Sequence, residues 1–192
     1  MKKWISRQCN DHFVKKRDKL NLISRSYFKI EEIDKKFLLN KTTILDLGAA
    51  PGGWIQYFNK FSCRITGIDI LPIQVNSCIK LLMDIKDYKS SCKFNLILSD
   101  ISSNITGIKD LDQSNMINIL VDVNQIILNN LNISGDLVIK LFEYLSNDDI
   151  IKTIKLYFKK YYLYKPLASR RESSEIYLVS KNFILNNKQI EN

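Results

Sequence analysis

Apolar residues fall into short runs separated by polar turns, and the spacing within each run predicts its element. Tyr27, Phe28, Ile30, Ile33 and Phe37 recur at helical intervals, which predicts a helix over Ser24–Phe37 with Ser24 as its N-cap. The continuous run Thr42–Leu47 reads as a first strand, and Gly52–Lys60 as the helix that follows it. Arg64–Ile70, Lys80–Met83 and Phe94–Ser99 read as strands two to four, closing on Asp69, Asp84 and Asp100. Ser102–Lys109 is a polar loop, and Asp112–Leu131 a long helix that Asn132–Gly135 should stop. Asp136–Phe142 is a fifth strand and Asn147–Lys160 an amphipathic helix. Tyr161–Lys165 and Glu175–Lys181 are the last two strands, separated by Pro166–Ser174.

Strands that alternate with helices predict an α/β fold, with a mostly parallel seven-stranded sheet covered on both faces. The length, 192 residues, suits one domain with a full core. Within it, residues 1–40 read as a basic segment and a helix packed on the core, 41–183 as the core, and 184–192 as a polar tail. Residues 1–22 are basic and loosely patterned, and should hold a short helix or arm.

Composition narrows the function. Hydrophobic residues make up 45% and charged residues 26%, ordinary for a globular protein. No apolar run approaches a membrane span, and Met1–Trp4 opens no signal-peptide pattern, so a cytoplasmic location is expected. Cys9, Cys63, Cys78 and Cys92 form no C-x-x-C pair and His12 is the one histidine, which argues against a zinc site or a Cys–His catalyst. The net charge of +9 favours a polyanionic partner, although the lysine bias of the chain weakens that inference. Arginine placement is more telling: Arg7, Arg17 and Arg25 precede the first strand, and Arg170 and Arg171 lie near the end. Guanidinium groups bind phosphate bidentately, so these segments, with Lys165, are candidate RNA contacts.

The first strand runs into Asp46-Leu-Gly-Ala-Ala-Pro-Gly-Gly-Trp54, a strand, glycine turn and helix start. The glycine spacing fits neither a dinucleotide fingerprint nor a phosphate loop, because position 50 is Ala and Gly53 is followed by Trp54. With no lysine and with Pro51 in the turn, the loop suits a nucleoside without a phosphate chain, and S-adenosylmethionine is the prime candidate. Ligands of open α/β sheets bind at the carboxyl ends of strands. There Asp69 can accept from ribose hydroxyls, Asp84 from an adenine amino group, and Asp100 lies beside the methionine end. A strand-end turn or cap explains any single aspartate better; compatible groups on four consecutive strand ends are harder to dismiss. Lys140 interrupts Leu137–Phe142 at the same rim, where lysine is rarely buried unless paired. Lys29 and Glu175 would by themselves read as surface charges.

Taken together, segments 24–33 (Ser-Arg-Ser-Tyr-Phe-Lys-Ile-Glu-Glu-Ile), 46–54, 98–100 (Leu-Ser-Asp), 138–140 (Val-Ile-Lys) and 165–177 closely resemble the FtsJ/RrmJ family of RNA ribose 2′-O-methyltransferases, in the family's order and over about Trp4–Phe183. The resemblance implies a Rossmann-like class I methyltransferase fold and S-adenosylmethionine as cofactor. It implies a catalytic set of Lys29, Asp100, Lys140 and Glu175, with Lys140 as proton acceptor. Gly52, Trp54, Asp69, Asp84 and Asp100 would contact the cofactor, and no metal is implied. Within the family the chain looks most like enzymes that modify a uridine in the A-loop of large-subunit (23S) ribosomal RNA, which implies the RNA or the 50S subunit as partner and a monomeric enzyme acting late in assembly. Two departures stand out. Ser103 replaces the proline usual after the catalytic aspartate, and Phe142-Glu-Tyr-Leu replaces a glycine-containing stretch. The same chemistry on transfer RNA or an mRNA cap, or a non-catalytic ribosome-assembly factor, are the alternative readings.

Overall fold

A computed structural model describes residues 11–103, 106–170 and 172–184. The elements run α1 (His12–Lys19), α2 (Ser26–Phe37), β1 (Thr43–Leu47), α3 (Gly53–Phe58), β2 (Arg64–Asp69), β3 (Ile79–Leu82), β4 (Phe94–Ser99), α4 (Lys109–Asn130), β5 (Leu131–Phe142), α5 (Asp149–Leu156), β6 (Phe158–Tyr164) and β7 (Glu175–Phe183). Single 3₁₀ turns follow β3 and β5. The seven strands form one sheet in the order β3-β2-β1-β4-β5-β7-β6. β1 to β5 are parallel, and β7 runs antiparallel between β5 and β6. The fold is the α/β, Rossmann-like arrangement expected. Among the described residues no helix is long and apolar enough to cross a membrane.

Alternation along the strands divides the core. Leu45, Leu47, Ile97, Ile139 and Leu141 face α4 and α5, packing with Leu120, Val123, Ile127, Ile151 and Ile154. Ile44, Leu96, Leu98, Val138, Tyr177 and Val179 face α2 and α3, packing with Ile30, Ile33, Trp54 and Ile55. Each fully buried Leu or Ile contributes on the order of 1.5–3 kcal/mol, so both faces are strongly held. The strand order reverses direction between β1 and β4, which opens a crevice at their carboxyl ends.

Several boundaries differ from the sequence expectation. The predicted helix over 147–160 stops at Leu156, because Phe158 is drawn into the sheet opposite Phe183 and begins β6. Ile151, Ile154 and Phe158 keep helical spacing across that change, which hides it. Asn132–Gly135 does not separate helix from strand; β5 starts at Leu131, and a register shift between Phe94 and Leu96 absorbs the irregularity. The helix expected from Ser24 is assigned from Ser26, although the Ser24 hydroxyl accepts from the Ser26 N–H at 3.2 Å as a cap would. The helix expected within residues 1–22 is α1, whose carboxylate cap is Asp11.

Candidate active site

The carboxyl end of β1 passes into the glycine turn. Gly48 and Gly52 have φ of 76° and 119°, values that strain any side chain. The glycines also admit protein neighbours rather than only a ligand. A Cβ on Gly48 would lie 2.6 Å from Ile101, on Gly52 2.4 Å from Val75, and on Gly53 2.5 Å from the Ser26 hydroxyl. The turn is therefore the place where the loops after β4 and β2 and the start of α2 meet.

Asp69, at the end of β2, braces this turn. Its Oδ2 accepts from Ala50 N and its Oδ1 from Leu71 N, both at 2.8 Å. Asp84 caps the 3₁₀ turn after β3, accepting from Lys86 N at 3.1 Å, with the Lys86 ammonium 3.2 Å away. That backbone bond, reinforced by Lys86, holds its carboxyl below the usual range. The Trp54 indole is not directed at a ligand: it is buried and donates to Ser26 O at 3.1 Å.

Asp46 was not singled out from the sequence. It alternates with Leu45 and Leu47, so it faces α2 and α3 beneath the crevice. It is 2% exposed, and neither carboxylate oxygen has a partner among the described residues. Burial, then the charges of Asp100 and Asp69, raise its pKa well above the ordinary Asp value. Its position inside an apolar strand was the available signal.

Lys29, Asp100, Lys140 and Glu175 converge from four elements. Lys140 Nζ donates to the Asp100 carbonyl at 2.7 Å and lies 3.2 Å from its carboxylate. Lys29 Nζ pairs with Glu175 at 2.6 Å. Tyr177 links the two pairs: Lys29 donates to its hydroxyl at 3.3 Å, and that hydroxyl donates to Asp100 at 3.1 Å. The sequence reading missed Tyr177, although it shares a strand face with Glu175 and sits opposite Lys140 in register. Burial, then Asp100 and Glu175, push the phenol pKa well above its usual value, which keeps it a donor. Burial, the largest single influence, would raise the Glu175 carboxyl; Lys29, Ser169 and Lys140 together outweigh it, and the net shift is downward. The Ser169 hydroxyl donates to Glu175 at 2.8 Å.

A cavity of about 330 Å³ opens beside this cluster, lined by Ser24, Arg25, Lys29, Asp100, Arg170 and Glu175 among others. The candidate RNA contacts are mostly engaged within the protein. Arg17 pairs with the adjacent Asp18, and Arg25 with Asp11 and the Ala168 carbonyl. Lys165 reaches Ser173 O at 2.6 Å and Glu143 at 3.3 Å. Arg170 keeps 40% exposure. Arg7 and Arg171 lie outside the described residues. Of the two sequence departures, Glu143 joins the pocket loop through its N–H to Ser174 O at 2.8 Å, while Ser103 lies in an irregular segment after Asp100.

Comparison with known proteins places these features in context. The model of the FtsJ-like methyltransferase family matches residues 22–183. A protein of a Wolbachia strain from Brugia malayi, named ribosomal RNA large subunit methyltransferase E, is 36% identical over 96% of this chain and 89% of its own length. A protein of the same name from Methanocaldococcus jannaschii is 31% identical over 95% and 82%. A Plasmodium falciparum crystal structure described as a ribosomal RNA methyltransferase superposes with a TM-score of 0.72 at 26% identity, covering 83% of this chain and 97% of the other.

Proposed function

The chain belongs to the FtsJ-like methyltransferase family, and on that premise we propose that it transfers a methyl group from S-adenosylmethionine to a ribose 2′-hydroxyl of large-subunit ribosomal RNA. The names of its relatives support the RNA class. The observation that carries the chemistry is the convergence of Lys29, Asp100, Lys140 and Glu175 beside an open cavity. In its finer form the proposal is a uridine of the A-loop, modified late in subunit assembly by a monomeric cytoplasmic enzyme.

The crevice residues fit such a cofactor. When bound, S-adenosylmethionine supplies an electrophilic methyl on a sulfonium centre. The orphaned Asp46 carboxylate suits the cationic end of that ligand, because a buried acceptor without a partner costs about 1–3 kcal/mol. Asp69 keeps lone pairs for ribose hydroxyls beyond its two backbone bonds, and Asp84 retains an exposed face for an adenine amino group. Gly52 and the Trp54 backbone shape the floor.

At the acceptor side, a 2′-hydroxyl is a weak nucleophile and must be oriented and deprotonated. Lys140, in its neutral form, accepts that proton. The Asp100 carbonyl fixes its amine, and Tyr177 fixes Asp100. The Lys29–Glu175 pair closes the other wall and holds Tyr177 from behind. A general base contributes about 10²–10⁴ in rate, and in-line positioning of two substrates contributes the larger share.

The test is incubation with radiolabelled methyl donor and large subunits, free ribosomal RNA or transfer RNA. Label in a 2′-O-methylated nucleotide of the large-subunit RNA is the expected result. Label confined to transfer RNA would replace the substrate, and donor binding with no transfer to any RNA would remove the catalytic reading.

A further inference from the structure

We propose that Arg25 and Arg170 form a phosphodiester-binding subsite at the mouth of the catalytic pocket, and that the Asp11 carboxylate fills it in the free protein. The proposal rests on the reading of the chain as an RNA methyltransferase and names what grips the RNA backbone beside the acceptor ribose.

Both guanidiniums converge on one oxygen. Arg25 Nη1 pairs with Asp11 Oδ2, and Arg170 Nε lies 4.0 Å from the same atom. Arg25 is itself steadied by donating to the Ala168 carbonyl at 2.5 Å. Two guanidinium groups, each presenting one nitrogen to the same anionic oxygen, form an arrangement that a phosphate oxygen would also satisfy. These two are the arginines that line the catalytic cavity, where Lys29, Asp100 and Glu175 also lie. A ribose 2′-oxygen neighbours a 3′-phosphodiester on the next carbon, so RNA that reaches Lys140 brings a phosphate to this rim. The phosphate and Asp11 then compete for the same cations.

The Asp11 side chain is placed to yield. Asp11 is the N-cap of α1, and Val14 is the one buried residue of that helix. The segment joining it to α2 turns through Asn21 at a φ of 51°. Lifting α1 uncovers Val14 and the Phe13–Phe28 contact, in which the rings lie 5.5 Å apart, whereas a swing of the Asp11 side chain alone frees the arginines without undocking the helix. Asp11 thus acts as an internal stand-in for the substrate backbone, and it excludes anions that cannot also satisfy the pocket.

The substitution Asp11→Asn tests this, because Asn still caps the helix while the charge is removed. Asp149→Asn is the control. It removes the same charge from α5, away from the pocket, where Asp149 pairs with Lys152. Binding of a short fluorescent single-stranded RNA is measured by anisotropy across a salt series, without methyl donor. Asp11→Asn should bind about fivefold to tenfold tighter than wild type, with a salt slope steeper by about one to two phosphate contacts. Asp149→Asn should stay within about twofold. Adding Arg170→Ala to Asp11→Asn should cancel the gain. Equal behaviour of the two Asn variants, or weaker binding by a folded Asp11→Asn protein, overturns the proposal. So does loss of cooperative unfolding in both Asp11→Asn and Asp11→Ser, which would make Asp11 purely structural. Absence of RNA binding by every protein overturns this proposal and the RNA reading together, whereas missing label transfer alone touches only the catalytic reading.

Discussion

Asp34 and Asp46 are equally buried, at 3% and 2% exposure, and lie on the same side of the sheet, yet their surroundings are opposite. Asp34 is saturated. It accepts from Leu39 N at 3.0 Å and from the Tyr57 hydroxyl at 2.8 Å, and it pairs with Lys41 at 2.5 Å. Those bonds tie the end of α2 to the start of β1 and to α3. Asp46 has no partner among the described residues. A buried carboxylate that is fully matched works as a joint, while one left unmatched holds a place for a group the protein does not itself contain. Along β5, Asp136 is closed by Asn40 N and Lys181 as a joint between elements, whereas Lys140 is held by Asp100 within the cluster beside the cavity.

The largest effect that would sharpen this contrast is on the open side. Lys140→Ala should lower methyl transfer about a thousandfold while donor binding by calorimetry and the unfolding midpoint stay close to wild type. Retained turnover would make Lys140 another structural cation. On the closed side, Asp34→Ala should cost about 3 kcal/mol of stability, read by denaturant unfolding, with activity per folded molecule preserved. A stable variant would erase the distinction.

Asp46→Asn has a signed pH dependence. Folding raises the pKa of this carboxyl, so its contribution is fully present below the ordinary Asp range and is lost as pH rises through the raised value. The variant should therefore match wild type below about pH 4 and become progressively more stable than it as pH rises toward neutral and alkaline values. Donor affinity should fall about tenfold in the same variant, and a variant that binds the donor normally would leave the orphaned carboxylate without a purpose. The smallest effect is expected for Tyr177→Phe. Losing one hydroxyl between Lys29 and Asp100 should reduce the rate by about tenfold or less without changing donor affinity.

Part of this contrast was legible before the structure. The strand-end aspartates and Lys140 announce themselves because a charged residue at the end of an apolar run is conspicuous, and the sheet brings those ends together. Lys29 and Glu175 were assignable only through family resemblance, since each lies in an ordinary amphipathic pattern. Asp46 and Asp34 were not distinguishable from the sequence. Both sit in apolar surroundings, and whether a partner reaches them depends on long-range contacts such as Lys41 and Tyr57 that no local pattern encodes. The end of α5 was hidden for a related reason, because Phe158 satisfies helical spacing and strand pairing equally well. The Arg25–Asp11 contact depends on the packing of two helices and was invisible for the same cause.

β7 inserts antiparallel between β5 and β6 and carries Glu175 and Tyr177 to a cluster whose other members come from α2, β5 and the loop after β4. The reacting groups are spread from Lys29 to Tyr177, and the strand that completes them must pair on both sides at once. Regain of catalytic turnover during refolding should therefore trail the recovery of helical circular dichroism, because helices form locally whereas the contacts of Tyr177 with Lys29 and Asp100 join residues 148 and 77 apart in the chain. The working centre of this molecule doubles as a clock for its own assembly.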